Sequence, residues 1–89
     1  MTELEMVVKN KAGLHLRAAA TLVKITAQFK AEITIFNGDE QVNAKSIMGI
    51  MTLAASQGTK LRVKAEGVDE DLAVTKIKEL VDNKFGENE

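Results

Sequence analysis

The single histidine of the chain lies in the segment GLHLRAAA, residues 13–20. An imidazole is a nucleophile that can accept a phosphoryl group and hold it for transfer. Arg17, two positions after His15, adds a permanent cation whose planar guanidinium suits phosphate oxygens. Gly13 allows the backbone to bend close to these side chains. The residue types and their spacing would therefore allow phosphoryl-group chemistry at His15.

The residues that follow His15 have the spacing of a helix. From Leu16 to about Ala27 the apolar positions recur at helical intervals, and alanine favours this structure. His15 would then lie at a helix start, where backbone N–H groups lack partners, carry about half a positive charge and bind anions. Position alone also fits a polar surface residue or an improvised cap, and Arg17 alone fits a solvated surface charge.

A second helix start is predicted at Ser46, which precedes the apolar run IMGIMTL. An N-cap serine stabilises a helix by roughly 0.5–2 kcal/mol, which explains this residue without any regulatory role. The apolar run covers too much of a short helix for one buried face. Some of its side chains should therefore be exposed as a partner surface, for which methionines are well suited. The alternative is a short helix that is simply well buried.

Alternating apolar positions predict four strands, at residues 4–8, 31–36, 40–43 and 60–65. Asn37-Gly38 is a strong hairpin signal, because both residue types accept a positive φ. A last helix follows Asp69. Its expected apolar stripe comprises Leu72, Ile77, Leu80 and Val81. Gly86 should end this helix, and the final segment GENE is expected to be a frayed tail.

The predicted elements follow the order β-α-β-β-α-β-α. Strands and helices that interleave around a hairpin indicate an α+β fold, with helices on one face of a mostly antiparallel sheet. The length is typical of one domain, and we expect residues 1–89 to form it. Since a domain of this size has no room for a large internal cavity, any chemistry should take place on an exposed surface.

The composition argues against several classes of function. The chain has 12 basic and 13 acidic side chains and only three aromatic ones, which disfavours nucleic-acid binding. One histidine and no cysteine leave no cluster of metal ligands. No apolar run approaches the roughly 20 residues of a membrane span, and the N-terminal residues lack a signal-peptide pattern. We therefore expect a cytoplasmic protein without metal, cofactor, nucleic acid or membrane partner.

The segment GLHLRAA resembles the active-site signature of the histidine-containing phosphocarrier protein (HPr) family of the bacterial phosphotransferase system. The hairpin signal, the segment KSIMGIMTLAASQGT and the AEG-DE-A pattern before the last helix also fall where that family has them. The resemblance covers essentially the whole chain. It implies an open-faced sandwich, in which a four-stranded antiparallel sheet carries three helices on one face.

The resemblance also implies roles for individual residues. His15 matches the histidine that carries the phosphoryl group on Nδ1, and Arg17 matches the arginine that stabilises the phosphate. Ser46 matches the serine that a dedicated kinase, HPr kinase/phosphorylase, phosphorylates in some bacteria. Ile47, Met48 and Met51 match the apolar patch with which that family docks on partner proteins. We expect Leu16 and Ala20 to belong to the same docking surface.

The protein implied by this resemblance is a monomeric carrier and not an enzyme. It would receive a phosphoryl group from enzyme I and pass it to a downstream EIIA-type component, for sugar uptake or for regulation. A mainly regulatory binding module controlled by phosphorylation is the alternative. A small enzyme such as an acylphosphatase is disfavoured, because GLHLRAAA lacks the glycine-rich phosphate loop and positioned asparagine of that class.

Ala18 departs from the family pattern, which usually has proline directly after the arginine. Proline suits the first turn of a helix because the N–H that it lacks would be unpaired there anyway. Alanine fits as well and adds a donor. The substitution therefore suggests a changed site geometry rather than a lost site.

Overall fold

Residues 1–87 are described by a computed structural model, in which every predicted strand and helix is present in the predicted order. The strands are β1 Thr2–Val7, β2 Glu32–Asn37, β3 Glu40–Asn43 and β4 Lys60–Glu66. The helices are α1 Leu16–Thr26, α2 Ile47–Thr52 and α3 Glu70–Asp82, and a short 3₁₀ turn, Lys84–Gly86, follows α3.

The four strands form one antiparallel sheet in the order β1-β4-β2-β3. Alternate residues of β4 are buried, namely Leu61, Val63 and Ala65, because side chains of a strand point in turn to opposite faces. The buried face packs against the helices, and the other face carries charged residues such as Lys60 and Arg62. The α+β sandwich with three helices on one face is thus confirmed.

The β2–β3 hairpin is shifted by one residue from its predicted position. Asn37 remains in β2, paired with Glu40, so the loop consists of Gly38 and Asp39. Gly38 takes a φ of +61°, where a side chain would be strained. Asn37 instead donates a hydrogen bond from its side-chain amide to the carbonyl oxygen of Leu53, at 3.1 Å. The side chain of Asn37 thereby ties β2 to the end of α2.

The predicted apolar stripe of α3 is wrong at Leu72, which is 54% exposed. The side chains that α3 buries are Ala73, Val74, Ile77 and Val81. Leu72 and Ile77 are five residues apart, and at 100° per residue they lie about 140° apart around the helix. They cannot share one buried face.

The end of α3 and the segment after it also differ from the prediction. The helix ends at Asp82 rather than Gly86, and the 3₁₀ turn returns the chain to the core, where Phe85 is 94% buried. Lys84 and Phe85 take φ values of +58° and +57°, which side-chain-bearing residues rarely adopt. Glu87, predicted to lie in a frayed tail, is held by side-chain contacts. Residues 88 and 89 of that predicted tail lie outside the described part of the chain.

Candidate functional site

The loop between β1 and α1 is fixed to the segment that follows α2. The backbone N–H of Leu14 donates to the carbonyl oxygen of Ala55 at 2.9 Å. Gly13 lies against the same carbonyl at a φ of +71°, and an added Cβ would be 2.5 Å from this oxygen. A side chain at position 13 would push the loop away. Glycine is therefore required here for close packing, and this packing sets where α1 begins.

His15 is the N-cap residue of α1. Its backbone is extended, with φ −80° and ψ 178°, and its carbonyl oxygen accepts the first helical bond from Ala19 N–H at 2.9 Å. Its side chain makes no capping hydrogen bond. Within residues 1–87, the N–H groups of Leu16, Arg17 and Ala18 have no acceptor. The predicted helix start beside His15 is confirmed, with three backbone donors that lack an acceptor in residues 1–87 and a cap side chain that does not bond to them.

The imidazole of His15 contacts a carboxylate from the far end of the chain. Its Nε2 lies 2.5 Å from Oε2 of Glu87, and its side chain is 29% exposed. The other carboxylate oxygen, Oε1, accepts a hydrogen bond from Nδ2 of Asn10 at 3.0 Å. Burial works to raise the pKa of Glu87. The hydrogen bonds from Asn10 and His15, with the charges of His15 and Arg17, outweigh burial and hold this pKa below its ordinary value.

Arg17 lies in the first turn of α1, as predicted, with 80% of its side chain exposed. Its Nε is 3.8 Å from Oε2 of Glu87, so the guanidinium shares a carboxylate with His15. An open depression beside Arg17 is lined by Arg17, Thr21, Phe85, Gly86 and Glu87. The site thus offers a cation and free backbone N–H groups next to a solvent-accessible imidazole.

Ser46 is the N-cap of α2, as the sequence predicts. Its Oγ accepts a hydrogen bond from Gly49 N–H at 3.0 Å, and its carbonyl oxygen accepts from Ile50 N–H at the same distance. The side chain is partly exposed. Gly49 leaves room for this contact, since an added Cβ there would lie 3.3 Å from the serine Oγ. The capping role of Ser46 is therefore confirmed.

Three of the five predicted docking residues expose large apolar side chains. Leu16 is 59% exposed, Met48 74% and Met51 38%. Ala20 and Ile47 are partly buried, Ile47 against the core. The helices that carry these residues, α1 and α2, pack against each other. The alternative that α2 is buried on most sides is wrong, because Ile50 is its one buried side chain.

Two residues of the site were not predicted from the sequence, Asn10 and Glu87. Asn10 has the residue type of a chain break after β1, but it is completely buried. Glu87 lies in a polar segment that has the composition of a tail. Phe85 was the available signal, because a large aromatic side chain is expected to be buried in the core and to hold its neighbours in the chain in place.

Within residues 1–87, no group of three or more histidine, aspartate or glutamate side chains is placed to hold a metal ion. None of the helices in this part of the chain has the length and apolar character that crossing a membrane would require.

A family model and similar relatives in the comparison with known proteins point to the same family. Residues 2–83 match the family model described as the PTS HPr component phosphorylation site. The chain is 49% identical to a phosphocarrier protein HPr of Xylella fastidiosa over 88 residues, which cover 99% of each chain.

Solved structures of the same family are also similar to this chain. One is an HPr from Thermoanaerobacter tengcongensis, with a TM-score of 0.96 and 44% identity over the whole of both chains. An HPr dimer from the same organism gives a TM-score of 0.78 and 45% identity, covering 98% of this chain and 100% of that one. This chain therefore belongs to the HPr family, the phosphocarrier proteins of the phosphotransferase system.

Proposed function

We propose that this protein accepts a phosphoryl group on Nδ1 of His15 from phosphorylated enzyme I and passes it to a downstream EIIA-type component in the cytoplasm. The observation that carries the proposal is the start of α1. There an imidazole that makes no cap bond lies beside three N–H groups without acceptors in residues 1–87. Arg17 follows in the same turn.

The chemistry needs few groups. The lone pair of Nδ1 attacks phosphorus, the bond from phosphorus to the donor atom of enzyme I breaks, and its electron pair returns to that atom. The free N–H groups of α1 and the guanidinium of Arg17 stabilise the charge on the phosphoryl oxygens. Transfer onward reverses these roles. The protein is then a substrate and a donor for its partners, without a turnover of its own.

The exposed side chains of Leu16 on α1 and of Met48 and Met51 on α2 support docking, because these two helices pack against each other. Ala20 and Ile47 lie on the same two helices and are partly buried. Methionine side chains adapt to different partner shapes, which suits a carrier that must meet a donor and an acceptor in turn. A monomer leaves this surface free, and we retain the monomer as a prediction. Sedimentation would test it against the dimer described for one relative.

Ser46 supports a second, regulatory role. Its hydroxyl lies at a helix N-terminus and is partly exposed, so a kinase such as HPr kinase/phosphorylase could reach it. Phosphorylation would add about −1.5 to −2 charges next to Ile47 and Met48 of the docking surface. The helix start tolerates this charge, so the effect falls on docking and not on the fold.

Labelled phosphoenolpyruvate with catalytic enzyme I tests the proposed acceptor. The wild-type chain should become labelled, and the label should be lost in acid and stable in base, as a phosphoramidate is. His15→Ala should take up no label. His15→Ala that is still labelled under these conditions would show that another residue is the acceptor.

A further inference from the structure

Asn10 holds the carboxylate of Glu87 in one orientation. Asn10 is completely buried, and its Nδ2 donates to the carbonyl oxygen of Gly13 at 2.8 Å and to Oε1 of Glu87 at 3.0 Å. These two bonds use both hydrogens of the amide nitrogen. The second carboxylate oxygen, Oε2, is thereby directed to Nε2 of His15. The orientation of the carboxylate is therefore set by a buried group and not by chance contact at the surface.

The proton in the contact between His15 and Glu87 must belong to the imidazole. An ionised carboxylate can only accept hydrogen bonds. Burial opposes ionisation of Glu87, but the bonds from Asn10 and His15 prevail and keep its pKa below the ordinary value. At neutral pH Glu87 is therefore ionised, and Nε2 of His15 is the donor. Within residues 1–87, no hydrogen bond involves Nδ1 of His15.

We propose that Glu87, oriented by Asn10, is a positioning residue that keeps the proton of neutral His15 on Nε2 and so leaves the lone pair on Nδ1. A neutral imidazole carries one N–H, and which nitrogen bears it is set by the hydrogen bond that this nitrogen makes. This inference rests on the proposed function, because it assigns the tautomer that phosphoryl transfer to Nδ1 requires. In the transfer step the proton stays on Nε2 of His15 and remains hydrogen-bonded to the carboxylate of Glu87.

The backbone conformation of the two residues Lys84 and Phe85 helps to fix the position of the Glu87 carboxylate. Lys84 and Phe85 occupy the left-handed region in succession, a conformation that is unfavourable for residues with a Cβ. Burial of the Phe85 side chain offsets this cost. The chain after α3 is thus turned back onto the start of α1, where Glu87 meets His15.

An amide in place of the carboxylate gives a sharp test. In Glu87→Gln, Asn10 still donates, so the oxygen of the new amide faces Asn10 and its NH₂ group faces His15. That NH₂ group donates to Nε2, and the imidazole proton must move to Nδ1. The nucleophilic lone pair is then lost, as in serine proteases when the aspartate of the triad becomes asparagine. Glu87→Ala removes the contact without imposing the wrong tautomer.

The experiment measures initial rates of phosphoryl acceptance from enzyme I, with nitrogen-15 NMR of the imidazole at pH values where the ring is neutral. We expect Glu87→Ala to be a few-fold slower than wild type, and Glu87→Gln to be slower than Glu87→Ala by about tenfold or more. Wild type should show the proton on Nε2, and Glu87→Gln should show it on Nδ1. A purely structural role predicts the reverse order, since glutamine is closer in shape to glutamate.

Glu70→Gln is the matched control. Glu70 is also held by hydrogen bonds, from Thr2 Oγ1 and Gly67 N–H, but it lies at the opposite end of α3. The Glu70→Gln variant should leave the rate of phosphoryl acceptance and the tautomer of His15 unchanged. A Glu87→Gln variant that accepts phosphate as fast as Glu87→Ala, or that keeps its proton on Nε2, would overturn the inference. If His15→Ala is still labelled, the proposed function fails, whereas the NMR spectra still decide the positioning role separately.

Discussion

Two helices of this protein begin in similar ways and use their first residues differently. Ser46 and His15 are both N-caps with extended backbones, and each carbonyl oxygen accepts the first helical bond. The serine side chain turns back to accept a bond from Gly49 N–H. The histidine side chain turns away to Glu87, which is 72 positions later in the chain.

The difference shows how one local structure can serve stability in one place and chemistry in another. At α2 the side chain satisfies a free N–H and stabilises the helix start. At α1 the N–H groups find no acceptor within residues 1–87, and an anion can bind there. Helix α1 is held instead by Ala18, Ala19, Leu22 and Thr26, which it buries against the core. A helix secured by packing can leave its cap position to a functional side chain.

Among variants that keep both His15 and Glu87, Arg17→Lys should have the largest effect on phosphoryl transfer at the α1 start. Lysine keeps the charge but loses the planar fork that can bind two phosphate oxygens at once. We expect phosphoryl acceptance to slow by about tenfold, or ~1.4 kcal/mol in transition-state stabilisation, with unchanged thermal unfolding. Arg62→Lys, on the exposed face of the sheet, is the matched control and should keep the wild-type rate. Equal rates for both variants would remove the role proposed for Arg17.

Ser46 variants should separate the cap from the docking surface. Ser46→Ala loses the bond to Gly49 and should lower the free energy of unfolding by roughly 0.5–2 kcal/mol, with phosphoryl acceptance intact. Ser46→Asp keeps a capping oxygen, so the thermal midpoint should stay, but its charge beside Met48 should weaken binding to enzyme I several-fold. Titration calorimetry measures this binding. Thr75→Asp, at an exposed position of α3, is the control for the added charge. Lost stability with unchanged binding in Ser46→Asp would contradict the docking assignment.

Acid should loosen the α1 start and spare the α2 start. The pKa of Glu87 lies below its ordinary value in the folded protein, so its contacts stabilise the fold at higher pH. This contribution is complete above the pKa of an unfolded glutamate and is lost as the pH falls through the lower folded value. As the pH falls below the ordinary pKa of glutamate, the amide signal of Arg17 should therefore shift more than that of Gly49, whose partner Ser46 does not titrate.

The pKa of Glu87 itself can be followed by carbon-13 NMR. In His15→Ala it should rise, because a hydrogen bond and a charge that lower it are gone. An unchanged pKa of Glu87 in this variant would contradict the contact between the two side chains.

Ala18→Pro should have the smallest effect. The N–H of Ala18 has no acceptor in residues 1–87, so a proline there removes no hydrogen bond and restricts the unfolded chain. We expect unchanged stability or a gain of ~0.4–1 kcal/mol by thermal unfolding, with His15 still phosphorylated. Ala19→Pro is the contrast, because it deletes the bond from Ala19 N–H to the His15 carbonyl and should be clearly destabilising. A marked loss of stability in Ala18→Pro would mean that its buried position cannot hold the ring.

The sequence by itself determined the element order, the α+β class and both helix starts. These features depend on local patterns, such as the alternation in β4 and the serine before the apolar run of α2, which act over a few residues. The resemblance of GLHLRAA to a known signature singled out His15 and Arg17, and position alone would have left His15 as a surface residue or a cap. The predicted buried face of α3 was wrong at Leu72, because an apolar residue type does not by itself show which face of a helix is buried.

Only the tertiary structure decided what His15 contacts. Asn10 and Glu87 are ordinary polar residues in the sequence, and neither has a spacing that marks it as part of a site. Their meeting depends on α3 crossing the sheet, on the 3₁₀ turn after it and on the burial of Phe85. A contact between positions 15 and 87 leaves no local pattern, because it depends on the packing of the whole core and not on neighbouring residues.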